Sequence, residues 1–240
     1  AFISYKGLLR SLSSAAEVQL RYTPYDDEPF FLSTDFVNAE TSPKDVVQSK
    51  RYGLNVSLDS PVIKLAPNVS SDEQKMRIQQ LNALQPIFKE TLIRSIGEDA
   101  LNWPEQQARE QILSKGAPIV WAFVATQEGI HAAYPGKGGY PPEYDPRERP
   151  WYKSAKDRRT PRCESPYLDS MGQGMLLPCT MGLYNQQGEQ IGVAGLEFTF
   201  KYIIEQLLDL PGFEEIETFL VDAEGRIIVR STDMNREDVT

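Results

Sequence analysis

The chain has 240 residues, 40% of them hydrophobic and 25% charged, which predicts one large domain or two modest ones with a real core. Its formal net charge of −9 argues against a nucleic acid or an anionic membrane surface as the main partner. No apolar run approaches the roughly 18 residues of a membrane-spanning helix. No signal peptide precedes the first helical pattern, so we expect any membrane anchor to lie outside these residues.

Helical patterns dominate the first half. Apolar residues at helical spacing predict a helix over residues 1 to about 20. Residues 21–70 are rich in proline, aspartate and serine, and recurring aromatics and valines predict an extended segment that wraps around a core. A helix bent at Pro86 should start near residue 71, and another should cover Pro104 to Ser114.

Strand patterns dominate the second half. They predict strands at residues 119–126, 130–134, 175–184 and 190–200. The glycine-rich stretch Pro135 to Pro142 lacks the residue order of a phosphate loop and is interpreted as a flexible lid or rim. A helix at 201–210 and a hairpin at 217–230 follow, and the hairpin begins a smaller unit that is incomplete at Thr240.

The stretch Tyr144 to Tyr152 concentrates chemically distinctive residues. Arg149 precedes a proline and should be extended, while Pro150 suits the first turn of a short helix. Trp151 and Tyr152 then point about 100° apart, so one of them should face the space beside the arginine. A guanidinium between aromatic walls suits a ligand carboxylate, because its planar donors form two parallel hydrogen bonds and stay charged.

The same residues also fit a purely structural role. Arg149 would then pair with Asp145 or Glu148, and Trp151 would belong to the core. Both interpretations are open from these nine residues alone.

Cys163 and Cys179 are the two cysteines of the chain. The turn residues 169–174 lie midway between them, so a symmetric hairpin would place the two sulfurs opposite each other at bridging distance. This pattern favours a disulfide and an oxidising compartment. The alternative is a pair of reduced, small hydrophobic side chains.

Strand alternation places further polar residues on one face. On the last long strand Val193, Gly195 and Glu197 share a face, and on the hairpin Tyr167 and Asp169 do. Two carboxylates would thus converge with the arginine and the aromatics, which suits a small zwitterion. The alternatives are a solvent-facing edge residue for Glu197, a turn-forming residue for Asp169 and simple sheet packing for Tyr167.

The sequence contains few of the motifs that indicate catalysis or metal binding. His131 is the only histidine, so a histidine-based triad has a single possible base without supporting spacing. No cysteine–histidine cluster suits zinc. We therefore expect neither an enzyme nor a cofactor.

Four motifs in this order resemble a double Cache domain, an extracytoplasmic sensor module of bacterial receptors. They are Tyr144–Tyr152, Ser165–Asp169, Gly192–Glu197 and Phe219–Asp222. The resemblance implies an α+β fold with a long N-terminal helix and two PAS-like lobes of antiparallel sheet, the membrane-proximal one incomplete here. It implies a helix and wrapping segment at 1–70, a membrane-distal lobe with the ligand pocket at 71–210, and the start of the proximal lobe at 211–240.

The resemblance is closest to the branch that binds amino acids or amines. By matching motif positions, it implies a set of ligand-binding residues: Tyr144, Arg149, Trp151, Tyr152, Tyr167, Asp169 and Glu197. The last position departs from the usual Gly-x-Asp of the family, because here it reads Gly195-Leu196-Glu197. The longer side chain would crowd the pocket or shift a bound ammonium, or Asp169 would take the ammonium instead.

Two functions therefore compete. One is a sensor of a membrane receptor that binds a small molecule outside the cytoplasm and signals across the membrane, with a homodimer as the candidate assembly of the full receptor. The other is a ligand-independent scaffold that binds a partner protein. Arg149 discriminates between them, since a sensor needs it in an open pocket and a scaffold would bury it against Asp145 or Glu148.

Overall fold

The computed structural model describes residues 2–22, 28–169, 173–208, 217–221 and 225–232. Its helices are α1 (Phe2–Gln19), α2 (Lys75–Asn82), α3 (Gln85–Ile96), α4 (Glu105–Glu110), α5 (Pro150–Ser154) and α6 (Phe200–Ile203). Short 3-10 turns lie at Asp35–Val37, Glu98–Asn102 and Pro146–Glu148, and π turns at Gln111–Lys115 and Ile204–Leu208.

The strands form three antiparallel sheets. They are β1 (Val47–Gln48), β2 (Asn55–Ser57), β3 (Val62–Leu65), β4 (Ile119–Thr126), β5 (Ile130–Tyr134), β6 (Gly136–Lys137), β7 (Arg162–Cys163), β8 (Tyr167–Leu168), β9 (Met175–Tyr184), β10 (Gln190–Thr199), β11 (Phe219–Val221) and β12 (Ile227–Arg230). The main sheet has the order β3-β5-β4-β10-β9-β7, and β8 also pairs with β9. The predicted α+β class is confirmed, with an N-terminal helix packed against an antiparallel sheet.

The central strands are buried on both faces. Every residue of β4 is buried, because α1 packs against β9 and β10 while α3 packs against β4. On β10 the residues Ala194, Leu196 and Phe198 enter the main core beneath these helices. Val193 enters a second apolar cluster with Phe123 and Trp151, so successive residues of β10 face opposite sides, as predicted.

The helices differ from the prediction at one point. The expected bend at Pro86 is a break, since α2 ends at Asn82 and α3 begins at Gln85 with Pro86 in its first turn. Proline lacks the backbone N–H that a helix interior uses, and the first turn does not need that donor. The next predicted helix is present as α4 plus a π turn, which ends at Gly116 with φ +91°.

The cysteine hairpin matches its prediction closely. Cys163 of β7 lies directly opposite Cys179 of β9, and the two form a disulfide. On the same hairpin Tyr167 pairs with Leu176, one residue out of the symmetric register. The predicted disulfide is confirmed. The tip of this hairpin, residues 170–172, is outside the described residues.

The stretch predicted as a flexible lid contains a strand. Gly136 and Lys137 form β6, which pairs with Ser57 and Val56 of β2 in the small sheet β1-β2-β6. The side chain of Lys137 is only 3% exposed. The prediction was wrong for these two residues because β2 lies about eighty positions earlier and local glycine content gives no sign of that partner.

The C-terminal hairpin is present as the two-stranded sheet β11-β12. The predicted end of the preceding helix and the tip of the hairpin fall within 209–216 and 222–224, outside the described residues. Among the helices that are described, none combines the length and the apolar character needed to cross a membrane.

Candidate functional site

A cavity of about 30 Å³ opens on the face of the main sheet that lies away from α1. Six of the seven predicted site residues line it, and so do six others that the sequence did not single out. The full lining consists of Trp121, Phe123, His131, Ala133, Lys137, Tyr140, Tyr144, Arg149, Trp151, Tyr167, Asp169 and Glu197.

The floor of the cavity comes from β4 and β10. Trp121 lies directly opposite Glu197 in this antiparallel ladder, and Phe123 lies directly opposite Gly195. Opposed residues point to the same face of a sheet, so both pairs face the cavity. A Cβ atom at Gly195 would collide with the Phe123 ring, which explains the glycine here.

Arg149 enters from the N-terminus of α5. Its backbone is extended (φ −72°, ψ 143°), as the following proline requires. Its guanidinium lies 5.4 Å from the ring centroid of Tyr167 and 5.8 Å from that of Tyr144. Its buried Nε has no hydrogen-bond partner. Within the described part of the chain, its side chain makes no ion pair or hydrogen bond, although its charge acts on Glu197 across the cavity.

The carboxylates that were alternative partners for Arg149 are engaged elsewhere. Asp145 binds Arg147 at 2.7 Å, which lowers the pKa of the Asp145 carboxyl. Glu148 binds Lys153 at 2.5 Å. The structural interpretation of Arg149 is therefore wrong, and the arginine faces the cavity.

Glu197 is buried, with 6% of its surface exposed, so the interpretation as a solvent-facing edge residue is wrong. The Tyr167 hydroxyl donates a short hydrogen bond to its Oε1. Burial raises the pKa of Glu197 to about 7, and the Asp169 carboxylate adds to this. The Tyr167 hydrogen bond and the cations Lys137 and Arg149 act in the opposite direction.

Lys137 is the main residue that sequence reasoning missed. Its Nζ lies 3.6 Å from the ring centroid of Trp121, the geometry of a cation–π contact. Burial lowers its pKa to about 8, while Asp169 and Glu197 favour its charged form. Pairing of β6 with the distant β2 positions it, and no local pattern signalled this.

His131 forms part of the wall between the aromatic rings. Its ring lies 5.4 to 5.9 Å from those of Phe123, Trp151, Tyr140 and Tyr144. Burial lowers its pKa to about 3, helped by the nearby Lys137 and Arg149, so the imidazole is neutral at physiological pH. Its Nδ1 has no hydrogen-bond partner.

The remaining predicted site residues, Trp151, Tyr152 and Asp169, differ in their position relative to the cavity. Trp151 is buried and lines the cavity, whereas Tyr152 packs beside it and does not. This divergence follows from their angular separation in the first turn of α5. Asp169 lines the cavity and also serves the turn, because its Oδ2 accepts a hydrogen bond from the backbone N–H of Gln173.

The arrangement can bind a small charged molecule within an aromatic box. It offers one guanidinium without a carboxylate partner, one ammonium, and two carboxylates. Across the described residues, no group of three or more histidine, cysteine or acidic side chains could hold a metal ion.

The antiparallel sheet thus carries a pocket with charged and aromatic walls, an arrangement suited to binding a small molecule. No family model matches the chain. Its sequence is similar to methyl-accepting chemotaxis proteins. The relatives include PctB of Pseudomonas aeruginosa (27% identical over 58% of this chain), McpA of Pseudomonas putida (35% over 37%) and PscA of Pseudomonas syringae (24% over 75%). The chain spans 22%, 14% and 28% of these relatives, respectively.

Solved structures give a similar list. The ligand-binding domain of the Pseudomonas aeruginosa amino-acid chemoreceptor PctB, in complex with L-Gln, is 22% identical with a TM-score of 0.44, over 70% of this chain and 67% of that one. The ligand-binding domain of the Pseudomonas fluorescens chemoreceptor CtaA, in complex with L-alanine, is 25% identical with a TM-score of 0.40, over 57% and 60%. The sequence similarity to methyl-accepting chemotaxis proteins agrees with the predicted resemblance to a module of bacterial receptors.

Proposed function

We propose that this chain is the extracytoplasmic ligand-binding region of a membrane chemoreceptor. In this proposal it binds a small molecule with a carboxylate group, an amino acid or a related amine or carboxylate, and the binding alters signalling across the membrane. The similarity to methyl-accepting chemotaxis proteins supports a role in a receptor. The Cys163–Cys179 disulfide supports an oxidising compartment.

The observation that carries the proposal is the state of Arg149. Arg149 is half-buried and its buried Nε has no hydrogen-bond partner, a state that costs free energy unless a ligand of opposite charge completes the site. The neighbouring arginine, Arg147, is paired with Asp145, so the two arginines of one motif have clearly different environments. A scaffold would have no need to hold Arg149 in this state.

The size of the cavity adds a structural requirement. A cavity of about 30 Å³ holds roughly two water molecules, which is too little space for an amino acid. The Tyr167 hydroxyl and Glu197 meet across this space. We therefore propose that a ligand enters by separating Tyr167 from Glu197, so that the hairpin carrying Tyr167 responds to binding.

The test is a thermal-shift screen of the purified chain against amino acids, amines and small carboxylates, with hits measured by isothermal titration calorimetry. A ligand that binds the native state raises the melting temperature. Arg149→Ala should weaken a carboxylate ligand by roughly tenfold to a hundredfold, because charged hydrogen bonds contribute about 1.5–3 kcal/mol each.

Arg147→Ala is the matched control. It removes an arginine of the same motif from the ion pair with Asp145 and should leave ligand affinity within about twofold. Equal loss in the two variants would point to damage of the motif as a whole. Binding that survives Arg149→Ala would contradict the proposed role of the arginine.

The remaining assignments are part of the same proposal. Residues 71–210 form the membrane-distal lobe with the pocket, 1–70 its helix and wrapping segment, and 211–240 the start of the proximal lobe. Pairing of β3 with β5 supports a close association of the wrapping segment with the lobe. The receptor context supports membrane anchoring through other segments and a possible homodimer, and the pocket serves binding without catalysis.

A further inference from the structure

Lys137 brings an ammonium group into the pocket next to Glu197. Trp121 and Glu197 are directly opposed on β4 and β10, so their side chains are neighbours on the cavity face. The Lys137 ammonium lies over the Trp121 ring, 3.6 Å from its centroid. The ammonium therefore shares this cavity face with Glu197, which favours the charged form of Lys137.

Both carboxylates of the pocket already have donors. Glu197 accepts a hydrogen bond from the Tyr167 hydroxyl and favours the charged form of Lys137. Asp169 accepts a hydrogen bond from the backbone N–H of Gln173 and also favours the charged form of Lys137. The Arg149 guanidinium lies near the rings of Tyr144 and Tyr167.

Among the described residues, Arg149 thus forms no ion pair with either carboxylate of the pocket, whereas these carboxylates favour the charged form of a second cation, Lys137. We propose that Lys137 takes the place that a ligand ammonium would occupy beside Glu197, so that the preferred ligand is a small carboxylate without an ammonium group. An α-amino acid would bring its ammonium next to Lys137, and like charges in a poorly hydrated pocket repel strongly.

This inference rests on the proposed function, because it names the ligand class of the same pocket. The remaining titratable groups around Lys137 do not replace its charge. His131 is neutral because burial lowers its pKa to about 3, and burial raises the pKa of Tyr140, Tyr144 and Tyr167 well above neutrality.

The test compares two probes of nearly equal shape, L-lactate and L-alanine, which carry a hydroxyl and an ammonium at the same carbon. Isothermal titration calorimetry at pH 7 on the wild-type chain should give lactate at least roughly tenfold higher affinity. Lys137→Met keeps an unbranched side chain of similar length and removes the charge. It should weaken lactate and strengthen alanine, which reverses the preference.

Two further variants make the result decisive. Lys156→Met changes an exposed lysine and should leave both affinities unchanged. Arg149→Ala should weaken both probes, since both carry the carboxylate. The wild-type comparison needs no variant, so a poorly folded Lys137→Met protein does not prevent the test.

Each remaining outcome overturns something specific. Alanine binding tighter than lactate to the wild type, with both lost in Arg149→Ala, overturns the ligand class and leaves the sensor function standing. A lactate preference unchanged in Lys137→Met overturns the role of Lys137. If neither probe binds, or if Arg149→Ala does not change their affinities, both this inference and the proposed recognition of a ligand carboxylate are wrong.

Discussion

The free energy of unfolding of Glu197→Gln should exceed that of the wild type by more at alkaline pH than at acidic pH. In the folded state the carboxyl is buried and its pKa is raised from 4.5 to about 7, mainly because burial disfavours the charged form. The folded state therefore holds this proton more tightly than the unfolded chain. Its stabilising contribution is full below pH 4.5 and is lost as the pH rises through about 7.

The magnitude follows from the two pKa values. Each pKa unit corresponds to about 1.4 kcal/mol, so ionisation of Glu197 costs the folded state about 3 kcal/mol between pH 4.5 and pH 8. Glutamine has nearly the same shape, its carbonyl oxygen still accepts the Tyr167 hydroxyl, and it carries no charge at any pH. The free energy of unfolding of Glu197→Gln should lack this pH-dependent loss.

The assay is urea unfolding followed by tryptophan fluorescence at pH 5, 6, 7 and 8. Subtracting the wild-type free energy of unfolding from that of Glu197→Gln removes the contributions of groups that titrate identically in both proteins. The difference should rise by about 2–3 kcal/mol between pH 5 and pH 8. Glu73→Gln, at an exposed position, should give a flat difference. A flat difference for Glu197→Gln as well would refute the buried, protonated carboxyl.

Three other changes test the geometry around the cavity. Gly195→Ala should destabilise the chain by about 1–3 kcal/mol in urea unfolding, because the new methyl group collides with the ring on the paired strand. The double variant Cys163→Ser with Cys179→Ser opens a cross-link that spans 16 residues, and thermal or urea unfolding should show a loss of about 3 kcal/mol. Tyr167→Phe removes a hydrogen bond that lowers the pKa of Glu197, so that pKa, followed by carboxyl NMR titration, should rise further.

Local sequence patterns predicted most of the fold. The strands at 119–126, 130–134 and 175–184 have the predicted bounds, since alternation, apolar runs and turn residues act over a few positions. The cysteine hairpin was predictable because a turn midway between two cysteines defines the register of the strands. Pro86 was harder, since the same residue can bend a helix or begin one, and packing decides between them.

The part of the candidate site that lies within one short motif could be predicted from the sequence. Arg149 and Trp151 reach the cavity because the proline between them sets both the extended backbone and the helix start. Tyr152 does not line it, although the resemblance placed both aromatics among the ligand-binding residues. The position of Lys137 in the pocket could not be predicted from the sequence, because its burial depends on pairing between β6 and a strand about eighty residues away.

Glu197 shows why the ligand could not be inferred from the motif positions alone. By sequence, a glutamate in place of the family's aspartate suggested a crowded pocket or a displaced ammonium. In the structure its carboxyl group instead accepts the Tyr167 hydroxyl and shares the cavity with the Lys137 ammonium, whose charged form it favours. A carboxylate that already interacts with an internal cation attracts an external one less. Lys137 and Glu197 therefore have to be interpreted together, because they determine which charges the pocket supplies and which the ligand must bring.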